Sequence, residues 1–388
     1  MPADLPYWRL SGFYFFFFAI VGVLVPYWGP YLHTLGFSAA QIGQVVAALN
    51  LARVVAPNVL GSLADRRGRR MQVVRAASLL ALVSFAGVWA GSGYGWLLLV
   101  TAAFSFFWNG AMPQFEANTM NCLGAQEHRY SRIRLWGSVG FIVAVAALGG
   151  LVERVGAGVV PYAVLFLCVG MWLASLATPE RLGSAAHAQA PDFWQVLRRP
   201  EVIGFLLAAL LSQMGHGPYY AFFSIYLQEH GYRGGTIGLL WAWAVVAEIG
   251  VFMVIHRWLP RYGPRTLMVA ALLLGGVRWL ATGAFPQQLP LLFAAQTLHA
   301  ASFGIYHAVG IVVVNRFFRG RSQGRGQALY SSMTFGAGVA AGSVLGGYLW
   351  APLGGAVVFY LAGALSLLAV PLAYRAIPAR FQVSAAQQ

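Results

Sequence analysis

The chain has 388 residues, of which 59% are hydrophobic and 9% are charged, and it carries a formal net charge of +15. Soluble domains are usually about one quarter charged, so this composition excludes an ordinary soluble protein and indicates one that lies in a lipid bilayer. The positive charge would favour a nucleic-acid partner in a soluble protein. We expect no such partner here, because basic residues beside apolar segments set membrane topology.

Twelve apolar segments run along the chain, and each is long enough to cross the roughly 30 Å hydrocarbon core as an α-helix. The predicted segments are 8–32, 38–63, 71–91, 95–121, 131–152, 157–177, 200–228, 235–258, 265–284, 288–317, 321–350 and 353–375. The first segment lacks a cleavage site of small residues, so we interpret it as a transmembrane helix and not as a signal peptide. At the second segment, Ser38 and Gln41 have the spacing of a capping box.

The arginines lie mostly in alternate loops. They follow the second, fourth, eighth and tenth segments and occupy the stretch after the sixth, whereas the opposite loops hold only Arg154 and Arg233. Positive residues are retained on the cytoplasmic side, so both termini are predicted to be cytoplasmic in a multi-pass protein of the bacterial inner membrane. An even number of segments independently requires both termini to lie on the same side.

An internal repeat relates the two halves of the chain at a constant offset of 195 residues, as from Tyr31 to Tyr226. Residues 31–43 and 226–238 share Tyr, Leu, Gly, Ile and Gly at equivalent positions. Such a repeat indicates a duplicated membrane protein with two bundles. The predicted organisation is an N-terminal six-helix bundle (1–178), a cytoplasmic linker (179–199) and a C-terminal six-helix bundle (200–388).

The loop after the second segment, GSLADRRGRR at 61–70, resembles the signature G-x-x-x-D-R-x-G-R-R of the major facilitator superfamily. Other stretches resemble its phenylpropionate permease branch, with the lactose permease and nucleoside–proton symporter relatives: RIRLWGSVGF (132–141), VVAEIGVF (245–252), GGVRW (275–279) and LHAASFGIYHA (298–308). The resemblance implies an all-α membrane protein whose twelve helices form two six-helix bundles related by pseudo-two-fold symmetry. It also implies a secondary transporter that works by alternating access.

The same loop holds a predicted gating motif. Asp65, at the end of the second segment, is expected to cap a neighbouring helix and to pair with an arginine. Such a latch would hold the cytoplasmic side closed in the outward-facing state. Alternatively, the arginines serve membrane topology alone. The predicted gating residues are Gly61, Asp65, Arg66, Gly68, Arg69 and Arg70.

Five ionisable residues are predicted near the bilayer midplane, where each costs at least about 2.5–3.5 kcal/mol on insertion scales and is therefore a functional candidate. They are Arg53, His216, Glu248, Arg278 and His299. Glu248 is the candidate for a coupling proton, because a desolvated carboxyl group can take up and release a proton near neutral pH. The alternatives are a permanent Glu248–Arg278 ion pair and histidines that only pack. The predicted proton-coupling residues are Glu248, Arg278, His299 and His307.

Arg53 is the candidate cation for an anionic substrate. The repeat makes it equivalent to Glu248, no acidic residue is obvious beside it in its own half, and arginine pairs with carboxylates through two hydrogen bonds. The resemblance to lactose permease implies further contacts at Glu116 and Arg134, although these two also suit an interfacial ion pair. Some aromatic rings are expected to hold an aromatic substrate, while most pack against helices. The predicted substrate-binding residues are Arg53, Tyr27, Tyr31, Glu116, Arg134, His216, Tyr220, Trp241 and His299.

Together these features predict a monomeric, proton-coupled symporter of a small organic solute, with a phenylpropionate-like aromatic acid as the expected substrate. A nucleoside or sugar symporter and a drug–proton antiporter are the alternatives. HExxH, GxSxG and Walker-type motifs are missing from the sequence, so we do not expect an enzyme. The two cysteines and the histidines lack metal-ligand spacing, so neither a metal nor a cofactor is expected.

Overall fold

The computed structural model describes residues 5–181, 193–320 and 322–380, and within these ranges it is helical, with no strand. Most of the predicted linker, residues 182–192, lies outside the described residues, as does Arg321 at the start of the eleventh predicted segment. The expected all-α class is confirmed, because long apolar segments satisfy their backbone hydrogen bonds internally only as helices.

The first half of the chain forms six long helices that match the six predicted segments to within a few residues. The capping box is present at α2: the Ser38 hydroxyl accepts a bond from the Gln41 amide at 3.3 Å, and the Gln41 side chain accepts one from the Ser38 amide at 2.9 Å. The helices are α1 (Tyr7–Thr34), α2 (Ala39–Arg67), α3 (Arg70–Ala86), α4 (Tyr94–Leu123), α5 (Tyr130–Val155) and α6 (Val160–Ala177).

The second half departs from the predicted segments in three ways. A short helix precedes the seventh segment, the eighth and ninth segments form one helix that breaks at Gly263 (φ 78°, ψ 161°), and the tenth and eleventh are each interrupted by a π-helix. The helices are α7 (Phe193–Leu197), α8 (Pro200–Glu229), α9 (Gly234–Ala284), α10 (Leu289–Thr297), α11 (Tyr306–Phe317), α12 (Ser322–Ser331), α13 (Val339–Leu353) and α14 (Gly355–Ala376), with π-helices at Ala300–Ile305 and Ser332–Gly338.

Ten helical stretches in the described residues are long and apolar enough to cross a membrane. One of them is the 51-residue α9, which contains two spans because it breaks at Gly263. The 30-residue α8 is also long enough to span, but polar residues such as Gln213 and His216 lower its mean hydropathy. With α8 and both parts of α9 included, the described chain contains the twelve predicted spans.

The α-carbon contacts group the chain into two compact units, and each has its own core. In the first unit, rings of α1 and α4 stack: Phe13 on Phe115 at 3.8 Å and Phe17 on Trp108 at 4.8 Å between centroids. These units do not test the predicted division of the chain by a linker at residues 179–199, which stays a prediction. The first unit holds the described residues of 1–185, 220–242 and 343–351, and the second those of 186–219, 243–342 and 352–388.

Within the first unit, α1 and α5 approach closely at glycines. A Cβ atom added at Gly140 would clash with the carbonyl oxygen of Phe15, whereas one added at Gly150, also in α5, would meet nothing within 4 Å. Alanine favours helix formation over glycine by about 1 kcal/mol. A substitution of Gly140 by alanine can therefore be destabilising only through the packing clash with α1. Small residues at helix interfaces are a general device for close approach in membranes.

We therefore expect Gly140→Ala to lower the melting temperature of the purified protein in detergent, because overpacking lowers the free energy of unfolding by about 1–3 kcal/mol. Gly150→Ala is the matched control and should melt at the wild-type temperature or above it. Equal melting of the two variants would show that the close approach of α1 and α5 does not matter to stability.

Candidate functional site

A carboxylate and an imidazole meet inside the second unit. Glu248 lies in the first part of α9, and His299 lies between α10 and the π-helix that follows it. His299 Nε2 is 3.4 Å from Glu248 Oε2, and the two side chains are only 8% and 16% exposed. These groups are able to share one proton at a site that is almost closed to solvent.

Arg278, in the second part of α9, is fully buried and close enough to His299 to interact with it electrostatically. It donates from Nη1 to the Ser302 hydroxyl at 3.1 Å and from Nη2 to Gln296 Oε1 at 3.0 Å. Its guanidinium lies over the rings of Tyr219 at 4.3 Å and Trp279 at 4.1 Å, and the Tyr219 hydroxyl also donates to Gln296 Oε1 at 3.1 Å. Neutral acceptors and aromatic faces therefore position this buried cation.

His216 and His307, the two other predicted histidines of this unit, flank the cluster. His216 is buried in α8, donates from Nδ1 to the Ser212 carbonyl at 3.0 Å, and has its ring centroid 6.5 Å from that of His299. His307 is half-buried in α11. The Phe303 ring stacks between His299 and His307, at 5.1 Å and 5.9 Å. The predicted histidines are thus gathered in one column of rings.

Arg53 lies in the first unit, half-buried in α2. It donates from Nε to Asn109 Oδ1 of α4 at 3.1 Å, and Asn109 in turn donates to the Ser105 carbonyl at 3.0 Å. No acidic residue contacts Arg53 among the described residues, as the sequence suggested. The Tyr220 phenol is close enough to interact with it electrostatically. Arg53 is therefore a fixed cation with a neutral hydrogen-bond partner.

The predicted aromatic contacts divide by burial. Tyr27 is 1% exposed and donates its hydroxyl to the Val145 carbonyl at 2.8 Å, so it packs α1 against α5. Trp241 is also buried and donates from Nε1 to the Ser224 hydroxyl at 3.0 Å. Tyr31 and Tyr220 are half-buried. Of the four predicted aromatic contacts, Tyr31 and Tyr220 are therefore the accessible ones.

Glu116 and Arg134 are each half-buried but have different partners. Glu116 accepts a hydrogen bond from the Tyr130 hydroxyl, and Arg134 lies over the Phe18 ring at 3.8 Å. The interfacial ion pair between them, one of the alternatives read from the sequence, is not formed in the described part of the chain. Aromatic residues satisfy both charges instead.

The gating motif forms a link between α2, α3 and α4. Arg70 pairs with Asp65 at 2.8 Å and donates to Gln114 Oε1 of α4 at 2.9 Å. Gly68 ends α2 with φ at 64°, and a Cβ atom at Gly61 would lie 3.2 Å from the Gln114 amide nitrogen. The predicted pairing of Asp65 with an arginine is therefore present. The other two gating arginines, Arg66 and Arg69, are exposed.

The expected cap of Asp65 on a neighbouring helix is not what the described residues show. The amino end of α3 is capped by Glu180, whose Oε1 accepts a bond from the Met71 amide at 3.2 Å. Asp65 is drawn to Arg70 instead, because the αL turn at Gly68 brings the two side chains together. The helix-capping role thus belongs to a residue that the sequence analysis did not single out.

The residues that hold the predicted arginines in place are neutral, and the sequence did not single them out. They are Asn109, Gln114, Gln296 and Ser302. An amide or hydroxyl within an otherwise apolar span was the available signal. In the described ranges, no group of three or more His, Cys, Asp or Glu residues is placed to hold a metal ion.

Similar proteins place this geometry in context. The chain is 28% identical over 378 residues to the "Probable 3-phenylpropionic acid transporter" of Escherichia coli (strain K12), an alignment that covers 96% of this chain and 98% of that protein. It is 29% identical over 346 residues to the maltose permease of Geobacillus stearothermophilus, covering 87% of this chain and 86% of the permease. These two relatives, which match this chain over most of their length, are named for different solutes.

Solved structures show the fold. The nucleoside transporter NupG superposes with a TM-score of 0.82 at 18% identity, over 95% of this chain and 98% of that one. A family model described as "MFS_1 like family" matches residues 7–362. The chain therefore belongs to the MFS_1 like family and is a multi-pass membrane transporter with the two-bundle fold of the major facilitator superfamily, which acts on small molecules.

Proposed function

We propose that this transporter is a proton-coupled symporter that imports a small aromatic carboxylate by alternating access. The observation that carries the proposal is the Glu248–His299 contact at 3.4 Å beside the fully buried Arg278. A carboxylate in contact with an imidazole can hold or release one proton as a unit. The pair is the site at which we expect the coupled proton to bind.

Electrostatics link this proton to an anionic solute. A buried cation such as Arg278 is tolerated when an opposite charge offsets it, and the deprotonated Glu248 is the carboxylate of its own cluster. Protonation of Glu248 removes that negative charge, so the protein gains one net positive charge and an anion binds to it more favourably. By linkage, a bound anion favours protonation equally, which is the requirement for symport.

The carboxylate of the substrate is proposed to bind Arg53. This cation is half-buried and has a neutral partner in Asn109, so its charge is available to an anion. Tyr31 and Tyr220 are the half-buried rings proposed to hold an aromatic group of the substrate. Tyr27 and Trp241 are buried and are proposed to pack behind the substrate site. The name of the Escherichia coli relative, a probable 3-phenylpropionic acid transporter, favours such a solute.

A neutral solute is the second candidate. The maltose permease is 29% identical to this chain, and the xanthosine permease of Escherichia coli is 24% identical over 362 residues. The Asn109 amide beside Arg53 in the first unit suits a sugar or a nucleoside. An exporting antiporter also stays open, since a putative sugar efflux transporter of Deinococcus radiodurans is 27% identical.

The proposed setting is a monomer in the bacterial inner membrane with both termini and the linker at 179–199 in the cytoplasm. The arginine-rich loops after α2 and near Gly263 in α9 support this orientation through the positive-inside rule. The two halves, 1–178 and 200–388, are proposed to be the bundles that move during alternating access.

Uptake by proteoliposomes with an imposed pH gradient tests the proposal. Labelled phenylpropionate, cinnamate, a nucleoside and a disaccharide are supplied separately, with and without an ionophore that collapses the gradient. We expect accumulation of an aromatic acid that the ionophore abolishes. Gradient-dependent uptake of the nucleoside or disaccharide alone would favour the second candidate, and uptake indifferent to the gradient would remove proton coupling.

The Asp65–Arg70 link is proposed to act as a gate latch and not as a stabilising pair. Its side chains are 65% and 36% exposed, and exposed pairs stabilise a protein by about 0–1 kcal/mol. We expect Asp65→Asn to slow uptake by about fivefold, which corresponds to about 1 kcal/mol, with little change in substrate affinity. Arg67→Gln, which changes an exposed arginine at the end of α2 that is not among the predicted gating residues, is the control. Wild-type uptake by Asp65→Asn at normal expression would contradict the latch.

A further inference from the structure

Gln296 joins three helices of the second unit through one oxygen atom. Its Oε1 accepts a hydrogen bond from Arg278 Nη2 in α9 at 3.0 Å and another from the Tyr219 hydroxyl in α8 at 3.1 Å. Gln296 itself lies in α10 and is fully buried. Two donors converge on this atom, so it must be the oxygen and not the nitrogen of the amide. The side chain is thus held in one orientation.

The spacing along the chain makes Gln296 part of the proton site. Gln296 and Ser302 lie three residues before and three residues after His299, and they accept from the two Nη atoms of Arg278. His299 between them contacts Glu248. The segment 296–302 therefore binds Arg278 through its first and last residues and contacts Glu248 through His299 at its centre.

The chemistry of the two acceptors is the decisive feature. A carboxylate at either position would hold Arg278 more strongly, because it would add the attraction of opposite charges to the hydrogen bond. The amide of Gln296 and the hydroxyl of Ser302 fix the guanidinium but bring no negative charge to it. The cluster also contains the carboxylate of Glu248, which contacts His299.

We propose that Gln296 is a positioning residue for proton coupling: it fixes the Arg278 guanidinium without adding a negative charge, so that the free energy of this buried charge depends on the protonation of Glu248. The inference rests on the proposed symport. With a neutral acceptor at residue 296, the buried charge of Arg278 is stabilised mainly when Glu248 is deprotonated. A fixed negative charge at residue 296 would stabilise Arg278 whether or not Glu248 carries a proton.

Other titratable groups face this cluster and bear on its pH dependence. His216 of α8 and Tyr219 of the same helix pack against Trp279, at 5.0 Å and 5.2 Å between ring centroids. His307 of α11 stands one phenyl ring away from His299. All of these stay unchanged in the variants below, so a difference between the variants reports on residue 296.

The test compares Gln296→Glu with Gln296→Met in proteoliposomes, using the acid that the wild type accumulates. Gln296→Glu keeps the size and the acceptor but adds a fixed charge. We expect its accumulation ratio under a pH gradient to fall to about one, while substrate exchange without a gradient stays within about twofold of wild type. The pH dependence of its substrate affinity should flatten. Gln296→Met, which is neutral but removes the acceptor for Arg278, should be less stable and should keep a reduced accumulation ratio that still exceeds that of Gln296→Glu.

A purely structural role predicts the opposite order. Gln296→Glu would then resemble wild type and Gln296→Met would lose activity, and that outcome would overturn the inference. Ser302→Asp repeats the test at the other Nη atom if Gln296→Glu does not fold, and coupled accumulation by Ser302→Asp would overturn it as well. Failure of the wild type itself to accumulate the acid would instead count against the proposed symport.

Discussion

Glu248→Gln is expected to abolish accumulation of the substrate against its gradient while exchange across the membrane continues. Glutamine imitates the protonated carboxyl group, so the cluster with His299 and Arg278 stays in its proton-loaded charge state. A transporter that cannot unload the proton still moves solute in both directions but cannot use a pH gradient. We expect the accumulation ratio to fall to about one, since no free energy is then transferred from the proton to the solute.

The measurement pairs uptake under an imposed pH gradient with exchange of preloaded label in the absence of a gradient. Glu201→Gln is the matched control, because Glu201 is an exposed glutamate in the first turn of α8. Gradient-driven accumulation by Glu248→Gln would mean that the coupled proton binds elsewhere. Loss of exchange as well as accumulation would assign Glu248 to solute binding or folding instead.

Arg53→Gln is expected to weaken binding of an aromatic acid strongly but to spare a neutral solute. The guanidinium is the proposed partner of the carboxylate, and hydrogen bonds to charged groups contribute about 1.5–3 kcal/mol each to an interaction. A loss of this size raises the dissociation constant of the acid by about 10- to 150-fold. Glutamine retains a donor toward Asn109, so the helix contact between α2 and α4 has a substitute.

Binding is measured by titration calorimetry or by protection from thermal unfolding, with the acid and its uncharged amide compared on each variant. Arg66→Gln, which removes an exposed arginine of the gating loop, controls for the loss of one positive charge. Equal affinity of wild type and Arg53→Gln for the acid would remove Arg53 from the site. Equal losses for the acid and its amide would indicate a structural role.

The architecture was predictable because lipid leaves few choices. Apolar spans of sufficient length become helices, the capping box at Ser38 fixes the start of α2, and the chain repeat at offset 195 (from Tyr31 to Tyr226) indicates a duplicated fold. The π-helices at Ala300–Ile305 and Ser332–Gly338 were not predictable. An extra residue within a helical turn changes the hydrogen-bond pattern, while the apolar composition stays the same.

The candidate site was predicted in part. Charges within apolar spans are rare, so Glu248, Arg278 and His299 could be chosen from sequence, and the structure brings them together in the second unit. Their neutral partners were not singled out, because an amide or a hydroxyl within an apolar span is a weaker signal of function than a charge. Gln296 and Ser302 acquire meaning only when the fold brings them to Arg278.

Proton movement driven by the solute is the most direct test of proton-coupled symport. Proteoliposomes carrying a pH-sensitive dye in the lumen are given an inward gradient of phenylpropionate with no initial pH difference. Because permeant acids also cross lipid unaided, liposomes without protein and liposomes with Glu248→Gln set the baseline. We expect the wild type to acidify the lumen well above that baseline. Acidification at the baseline rate, together with carrier-mediated uptake of labelled phenylpropionate, would contradict it.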